Sequence, residues 1–326
     1  QDWIASLVPS RLRGKYFSIK DSVAVFVVSS IMLVSGMILD HFKKTNILTG
    51  FVIIGVLIFI LTVINVVGLS LMKEPKLSYV NDEGKEMHGR LAKKAKEQVV
   101  EEKSQSILSE IKEAVADRKF RKAFSLQCLF TLAFYICIPF NSSYMINDLS
   151  LPYTFIMFIS FIFNLYRIYI MPRIGRLADK HGMGKVLRFA LLALGFNFLS
   201  VAFMMPFNAY PMLILSTFFG STAWAFVGIG LFGIQLDFYR SDKRMIWLTL
   251  TSSVSGLFGF LVSVVGGSIL DMLQHLDMNL FGHKIYAQQI LNLMGFAILM
   301  FAVIFIRLRI ETEKIDTNRQ DGRVKV

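Results

Sequence analysis

Apolar residues fall into eight long blocks along the chain, and polar segments separate them. Each block is about 20 residues long, enough for a helix to cross a hydrocarbon core of about 30 Å at about 1.5 Å per residue. Lipid offers no partner for backbone N–H and C=O groups, and the blocks lack the alternating pattern of a membrane barrel, so we expect helices. The pattern therefore predicts an all-α membrane protein. The predicted spans are residues 18–39, 47–72, 121–140, 151–172, 186–206, 211–236, 248–270 and 286–306.

The composition agrees with a bilayer as the main solvent. Of the 326 residues, 54% are hydrophobic and 18% are charged, whereas soluble domains have roughly 25% charged residues. Cys128 and Cys137 both lie inside apolar blocks without a C-x-x-C spacing, so the sequence indicates neither a disulfide framework nor a zinc site. We expect both to be packing residues.

The basic residues predict an orientation, because cytoplasmic loops of membrane proteins collect Lys and Arg. The loops of one side hold 31 of the 35 Lys and Arg residues, the opposite loops hold 3, and Arg167 alone lies within a span. The net charge of +12 is therefore spread over one membrane face and does not indicate nucleic-acid binding. The protein is predicted to be a multi-pass plasma-membrane protein. The segments predicted to be cytoplasmic are 9–20, 73–122, 173–188, 237–246 and 307–326.

A long polar insert divides the spans into two groups. Its basic and acidic residues are interleaved, and apolar residues recur at approximate helical spacing, so we interpret it as a cytoplasmic amphipathic connector. The recurring residues are Leu91, Ala95, Ile107, Leu108, Ile111 and Val115. The predicted domains are residues 1–72, the remainder of an N-terminal transmembrane half; 73–120, the central loop; 121–308, a six-helix C-terminal half; and 309–326, a cytoplasmic tail.

An internal repeat supports this division. Residues 7–40 align with residues 231 positions later at 8 identities in 34 pairs, including the run G-x-I-L-D that ends at Asp40 and at Asp271. The first span thus matches the seventh, and inverted or parallel repeats of this kind are common in transporters. If the halves are equivalent, about 110 residues of an earlier half are expected to precede Gln1, which would make these spans helices 5–12 of twelve.

The sharpest motif lies between the fourth and fifth spans, in the sequence GRLADKHGMGK of residues 175–185. It resembles the signature loop G-x-L-A-D-[RK]-x-G-x-[RK]-[RK] of the major facilitator superfamily, with Gly184 in place of the first basic residue of the final pair. The resemblance implies a twelve-helix bundle that moves a solute by rocking two halves about a central site. The residues that match the signature are Gly175, Leu177, Ala178, Asp179, Lys180, Gly182 and Lys185.

A second stretch supports the same resemblance. Pro9, Arg13 and Gly14 are similar to the superfamily's P-x-x-x-R-G loop between its fourth and fifth helices. With the signature loop, this predicts a gating latch at the cytoplasmic side, in which Asp179 accepts hydrogen bonds from a helix N-terminus or a basic residue. The alternative is an ordinary turn, in which Gly175 and Gly182 permit close backbone approach and the lysines satisfy the charge asymmetry.

Polar residues inside the spans are candidates for a substrate pathway, because membrane binding sites combine a few polar groups with aromatic side chains. Interhelical hydrogen bonding is the alternative for each of them. Arg167 either binds an anion or extends its side chain to the inner interface. The candidates are Asn141, Tyr144, Asn164, Tyr166, Arg167 and Trp224.

The sequence contains no recognisable catalytic set, metal motif or phosphate-binding loop, so we expect no enzyme activity, no cofactor and no metal. The predicted partners are the bilayer and a small solute, with a proton or Na⁺ as a possible coupling ion. The predicted function is a secondary active or facilitative transporter. The alternatives are a transporter-like sensor or scaffold, with the central connector as its output element, and a fragment without activity of its own.

Acidic residues bear on the coupling ion. Proton coupling needs a titratable group in the low-dielectric interior. Asp21, Asp40, Asp237 and Asp271 all lie within about one turn of a span end. We therefore expect a coupling acid in preceding helices, or else a uniporter or Na⁺ bound by neutral oxygens.

Overall fold

The structure is a computed structural model of the chain. It describes residues 10–43, 45–71, 78–80, 86–88, 107–240, 243–276, 279–280 and 283–311. Side chains are described for residues 22–43, 45–71, 109–178, 180–240, 243–276 and 284–311.

Ten α-helices, two π-helical segments and two short hairpins make up the described chain. The helices are α1 Ser10–Lys43, α2 Ile47–Ser70, α3 Ile107–Ala116, α4 Arg118–Ser143, α5 Tyr153–His181, α6 Met183–Ala202, α7 Ala209–Trp224, α8 Val227–Phe238, α9 Arg244–Gln274 and α10 Ala287–Phe305. The π-helical segments are Tyr144–Asp148 after α4 and Ile306–Glu311 after α10. The hairpins pair β1 Ser78–Val80 with β2 Glu86–His88, and β3 Asn279–Leu280 with β4 His283–Lys284.

The chain divides into two compact units, residues 1–112 and residues 113–326. We call them the N-terminal unit and the C-terminal unit. Among the described residues, eight helical segments are long and apolar enough to cross a membrane, two in the N-terminal unit and six in the C-terminal unit. These segments confirm the predicted all-α membrane bundle.

Several predicted boundaries are wrong, because helices continue past the apolar blocks into polar sequence. α1 begins at Ser10, so the loop expected at residues 9–20 is helical from that residue on. α5 runs to His181, nine residues beyond its predicted end. Backbone hydrogen bonds favour a helix on either side of a membrane boundary, and the apolar block marks only its lipid-facing part. Hydropathy therefore located the spans better than it located the helix ends.

The central connector is described only in part. The hairpin of β1 and β2 precedes the residues for which we predicted helical spacing, and the helical part described is α3. Val115, which we predicted to lie on the apolar face, is exposed, and its neighbour Ala114 is buried instead. Leu91 and Ala95, which carried part of the predicted pattern, lie outside the described residues.

In the N-terminal unit, α1 and α2 form a tight helical pair. The side chain of Asn46 caps α2 by accepting a hydrogen bond from the N–H of Leu48. Gly50 lets the helices approach, since a Cβ atom there would lie 3.2 Å from Cβ of Phe42. Most of α2 is both apolar and exposed, with Phe59 69% exposed. A helix that is apolar on every side belongs in a bilayer or against other membrane helices.

The bounds of α1 and α9 agree with the predicted repeat. α1 ends at Lys43 and α9 ends at Gln274, which are 231 positions apart. α9 begins at Arg244, the counterpart of Arg13 at the same offset. The two helices thus end at equivalent positions although they belong to different units.

The C-terminal unit is built around α4, α6 and α10. α6 is the most buried span, and it packs against α7 and α10. α4 packs between α9 and α10, where glycines bring the backbones together. A Cβ atom on Gly295 of α10 would lie 2.8 Å from Sγ of Cys137, and one on Gly266 of α9 would lie 3.1 Å from the carbonyl oxygen of Ile136. Close packing at small residues is the usual basis of helix association in membranes.

Gly182 alone separates α5 from α6. Its φ of 90° is one that glycine adopts without the cost imposed on other residues. Gly175, which we expected to help form this turn, lies inside α5. The signature sequence therefore forms the last two turns of one helix, a one-residue junction and the start of the next helix.

Candidate substrate pathway in the C-terminal unit

A cavity of about 240 Å³ opens on the C-terminal unit between α4, α8 and α9. Its polar groups are amides and hydroxyls, and its apolar wall is largely aromatic and aliphatic, a composition typical of small-molecule sites. The lining residues are Gln127, Phe130, Trp224, Val227, Gly228, Leu231, Phe232, Gln235, Thr251, Ser252 and Ser255.

Two glutamines join α4 to α8 at the cavity. Nε2 of Gln235 donates to Oε1 of Gln127 at 3.0 Å, and Nε2 of Gln127 lies 3.5 Å from Oγ1 of Thr131. Gln235 is buried, whereas Gln127 is half-buried. The pair offers a solute hydrogen-bond donors and acceptors without a formal charge.

A hydroxyl pair lies beside the amides, where α8 ends and α9 is in its first turns. The Tyr239 hydroxyl is 2.6 Å from Oγ1 of Thr251, and both side chains are buried. Burial raises the pKa of Tyr239 to about 12, so the phenol stays neutral at physiological pH. Ser252 and Ser255 continue the hydroxyl surface along α9.

Aromatic side chains form the wall on the α7 side. The Trp224 ring meets the rings of Phe130 and Phe134 edge-on, with centroid distances of 6.1 Å and 5.4 Å. Edge-to-face contacts fix the indole orientation more firmly than burial alone does. Trp224, a predicted pathway residue, therefore lines the cavity in a defined position.

The helix that lines the cavity is broken at Ala225 and Phe226, where α7 gives way to α8. Phe226 has φ −133° and ψ −27°, and the first backbone bond that continues into α8 runs from the N–H of Gly230 to the carbonyl of Phe226 at 2.7 Å. The first N–H groups of a helix have no partner within the helix. Two of the residues in that first turn, Val227 and Gly228, line the cavity. Interrupted helices at binding sites are a recurring feature of secondary transporters.

Three predicted pathway residues lie on α5, next to α7. The Tyr166 hydroxyl is 3.3 Å from Oγ1 of Thr222, and its ring packs against Phe218 at a centroid distance of 5.5 Å. Asn164 and Arg167 are both half-buried one turn or less away. None of the three lines the cavity between α4, α8 and α9.

The other two predicted pathway residues lie in a separate network near the opposite end of α4. Asn141 and Asn292 exchange hydrogen bonds, with Nδ2 to Oδ1 distances of 3.2 Å and 2.7 Å. Below them, the Tyr144 hydroxyl donates to the carbonyl of Met204 at 2.5 Å, and Nε2 of Gln289 donates to the same oxygen at 2.8 Å. All five residues are buried. Their hydrogen bonds join α4, α10 and the end of α6.

The predicted gating residues of the signature sequence, residues 175–185, lie at the end of the C-terminal unit where basic residues collect. Ala178 is buried, and Leu177, Lys180 and Lys185 are exposed. The side chains of Arg13 and Asp179 lie outside the described residues, as does any contact that Gly14 makes. The proposed latch therefore stays a prediction.

Gly184, which departs from the family signature, lies against the last helical segment. A Cβ atom there would lie 3.4 Å from Cγ of Glu311, and Glu311 pairs with Arg188 at 3.0 Å. Both charged side chains are mostly buried, which makes the pair stronger than a surface ion pair. A long basic side chain at position 184 would have to pass Glu311, so glycine suits the packing at this position.

A second ion cluster lies at the start of the C-terminal unit, at the end of the central connector. Glu113 on α3 pairs with Arg240 at 3.0 Å and with Lys243, both in the segment between α8 and α9. Asp117 caps α4 by accepting a hydrogen bond from the N–H of Phe120 at 2.8 Å. The end of the connector is thus fixed to the two helices that form the cavity wall.

Sequence reasoning missed most of the cavity residues. Gln127, Gln235 and the hydroxyls of Thr251, Ser252 and Ser255 are polar groups inside apolar helices, and the last three recur at helical spacing. That spacing was the available signal. Among the described residues, no group of three or more His, Cys, Asp or Glu side chains could hold a metal ion.

The eight long apolar helices define a polytopic α-helical membrane protein. A scan against protein families matches residues 1–270 to the Major Facilitator Superfamily. The chain therefore belongs to this superfamily of membrane transporters, as the signature sequence predicted. A search of curated proteins gives no significant match.

Proposed function

We propose that the protein is a secondary active or facilitative transporter that moves a small solute by alternating access. The cavity of the C-terminal unit is the solute site that this unit supplies. The observation that carries the proposal is the juxtaposition of the α7–α8 break with the Gln127–Gln235 pair, because it places the N-terminal turn of a helix and two side-chain amides on one largely apolar cavity wall.

We further propose that the basic end of the unit is cytoplasmic in a plasma membrane. The distribution of 31 basic residues on one side and 3 on the other supports this orientation. Cysteines at Lys119 and Asn147, which are exposed near opposite ends of the α4 span, test it with a membrane-impermeant thiol reagent. Labelling of Asn147→Cys but not Lys119→Cys in intact cells is expected, and the reverse result would contradict the orientation.

The latch belongs to the same proposal. In Asp179→Asn the charge is removed and the shape is kept, so transport should fall while membrane insertion is unchanged. Transport at the wild-type rate would leave residues 175–185 as a simple helix junction.

Gly228 offers the sharpest test of the cavity. A Cβ atom there would meet nothing within 4 Å, so a large side chain fits the fold and fills the cavity. Gly228→Trp should abolish uptake into proteoliposomes, more than about 100-fold below wild type, because the solute and the indole compete for the same space. Gly256→Trp is the matched control, since Gly256 on α9 is equally open but is not part of the cavity wall.

The transported solute is identified first, by measuring uptake into proteoliposomes from a mixed panel of labelled carboxylates, phosphate esters, sugars, amino acids and amines. Size-exclusion profiles and thermal unfolding show whether both tryptophan variants fold. If Gly228→Trp folds and still transports any panel solute at the wild-type rate, this cavity is not on the pathway.

A further inference from the structure

Arg167 lies within a membrane span, five residues before the predicted end of its apolar block at residue 172. The span of α5 runs from Tyr153 to Ala178, with Arg167 14 residues from its start and 11 from its end. At about 1.5 Å per residue, its Cα lies roughly 8 Å inside the predicted inner end of the apolar block. A charged side chain at such depth is costly, and where it occurs it commonly marks a substrate or ion pathway.

No acidic residue of the C-terminal unit matches Arg167 in depth. The acidic residues in or beside its six spans lie within about one turn of a span end. Among the described residues, Arg167 makes no hydrogen bond or ion pair. The acidic residues inside the spans or directly next to one are Asp117, Asp148, Asp179, Asp237, Asp271 and Glu311.

Arg167 lies away from the most exposed side of α5. Leu165 and Tyr169, on the other side of the helix, are 40% and 65% exposed and are suited to lipid. Asn164 and Met171 lie three residues before and four residues after Arg167, so they share its face, and all three are half-buried. A polar, half-buried face opposite an apolar exposed one is the arrangement expected for a pathway wall.

Contacts between α5 and α7 place Arg167 near the depth of the helix break. Phe155 meets Tyr210, Phe163 meets Phe218, and Tyr166 meets Thr222, so the helices run parallel in a constant register. In this register Arg167 is level with Ala223, less than one turn from the break after Trp224. The first turn of α8 therefore presents the positive end of its helix dipole at a similar depth.

We propose that the transported solute is a small anion, a carboxylate or a phosphate ester, whose charge is paired by the Arg167 guanidinium. This inference rests on the proposed transport function and names its substrate class. A guanidinium forms two parallel hydrogen bonds to carboxylate or phosphate oxygens, so the anion neutralises a charge that the described residues leave unpaired.

The first test measures the charge of the pathway without knowledge of the solute. Met171→Cys is made in a protein in which Cys128 and Cys137 are alanine, and its modification rates with an anionic and a cationic methanethiosulfonate are compared. Arg167 attracts the anionic reagent, so Arg167→Gln should lower the anionic-to-cationic rate ratio by about tenfold, the factor expected for roughly 1.4 kcal/mol between neighbouring charges. Arg167→Lys should keep most of the ratio.

Two controls separate this result from a general charge effect. Arg173→Gln removes an exposed arginine that stacks on Tyr169 on the other side of α5, and it should leave the ratio unchanged. Leu165→Cys, on the exposed side, should react with neither reagent because lipid covers it. An unchanged ratio in Arg167→Gln, or no reaction of Met171→Cys with either reagent, would overturn the proposal.

The second test compares anions with uncharged analogues in proteoliposomes, using benzoate with benzamide and glucose 6-phosphate with glucose, together with the solute found in the panel. The transported member should be the anion, and Arg167→Gln should reduce its uptake more than tenfold with Arg167→Lys intermediate. Gly228→Trp is assayed alongside. If the solute blocked by Gly228→Trp is uncharged or cationic, the anion inference falls while the proposed function stands. If Gly228→Trp blocks no solute that the wild type transports, the cavity is not the solute site, and if the wild type transports no solute of the panel, the proposed function falls.

Discussion

The C-terminal unit contains two interhelical amide pairs that use the same chemistry in different surroundings. Asn141 and Asn292 join α4 to α10 and are 7% and 0% exposed. Gln127 and Gln235 join α4 to α8, with Gln127 half-buried at the cavity. The asparagine pair is closed to any further partner, whereas the glutamine pair can exchange its hydrogen bond for one to a solute. Access to the amide therefore separates a structural contact from a candidate binding contact.

The largest effect is expected at the closed pair. Asn292→Ala leaves the Asn141 amide buried without its partner, which costs about 1–3 kcal/mol. Thermal unfolding of the purified protein in detergent should show a fall of several degrees in Tm. The double variant Asn141→Leu/Asn292→Leu removes both polar groups and should recover part of the loss. An unchanged Tm in Asn292→Ala would mean that water or another group satisfies Asn141.

At the open pair, the expected loss is in transport rather than in folding. Gln235→Leu keeps the side-chain volume and removes the amide, while Gln127 is free to turn toward the cavity. Uptake of a solute that Gly228→Trp blocks should fall about tenfold, the equivalent of one lost hydrogen bond of roughly 1.4 kcal/mol. The Tm should change by less than in Asn292→Ala. A larger Tm loss than in Asn292→Ala would show that both pairs are structural.

The hydroxyl pair of Tyr239 and Thr251 is an intermediate case, buried but next to the cavity. Tyr239→Phe removes one hydrogen bond, worth about 1 kcal/mol of stability. The pKa of Tyr239 is raised in the folded state to about 12, above its value of 10.0 in the unfolded chain. The stabilisation that the neutral Tyr239 hydroxyl adds to the free energy of unfolding is therefore complete below about pH 10. It is lost as the pH rises from there through about 12.

Measuring the free energy of unfolding as a function of pH tests the direction of this change in stability. The stability of Tyr239→Phe should decline less between pH 10 and pH 12 than that of the wild type. Parallel declines would show that the Tyr239 hydroxyl ionises as readily in the folded protein as in the unfolded chain.

The smallest effect is expected at Glu113, whose partners Arg240 and Lys243 lie in a more exposed cluster. Exposed ion pairs stabilise by less than about 1 kcal/mol and weaken with salt. Glu113→Gln should lower the Tm slightly in low salt and not at all in about 1 M NaCl. A loss that persists in high salt would indicate a buried, structural contact like that of Asn292.

The spans and the family were accessible from the sequence because each follows from local information. An apolar block of about 20 residues satisfies its backbone groups in lipid by forming a helix, and the signature around Asp179 is contiguous in the sequence. The cavity was not accessible in this way. Gln127 and Gln235 are 108 positions apart, and only the packing of α4 against α8 brings them together.

The break after Trp224 also depends on tertiary contacts. Ala225 and Phe226 are not helix breakers, and the apolar run through them predicts one continuous span. In the fold, the Phe226 ring lies in space that a side chain at Gly230 would occupy. Asn141 also depends on tertiary contacts: the sequence placed it at the end of a span but gave no sign of its partner Asn292, 151 positions away.

The one-residue junction at Gly182 has a mechanical consequence. A single residue spans at most about 3.8 Å between neighbouring Cα atoms, so the ends of α5 and α6 cannot separate. Tilting of α5, which carries Arg167, must then pull on α6, the most buried helix of the unit. The two helices would therefore move together, with Gly182 as the one residue between them. Movement of a bound anion at α5 would then displace α6 in the core.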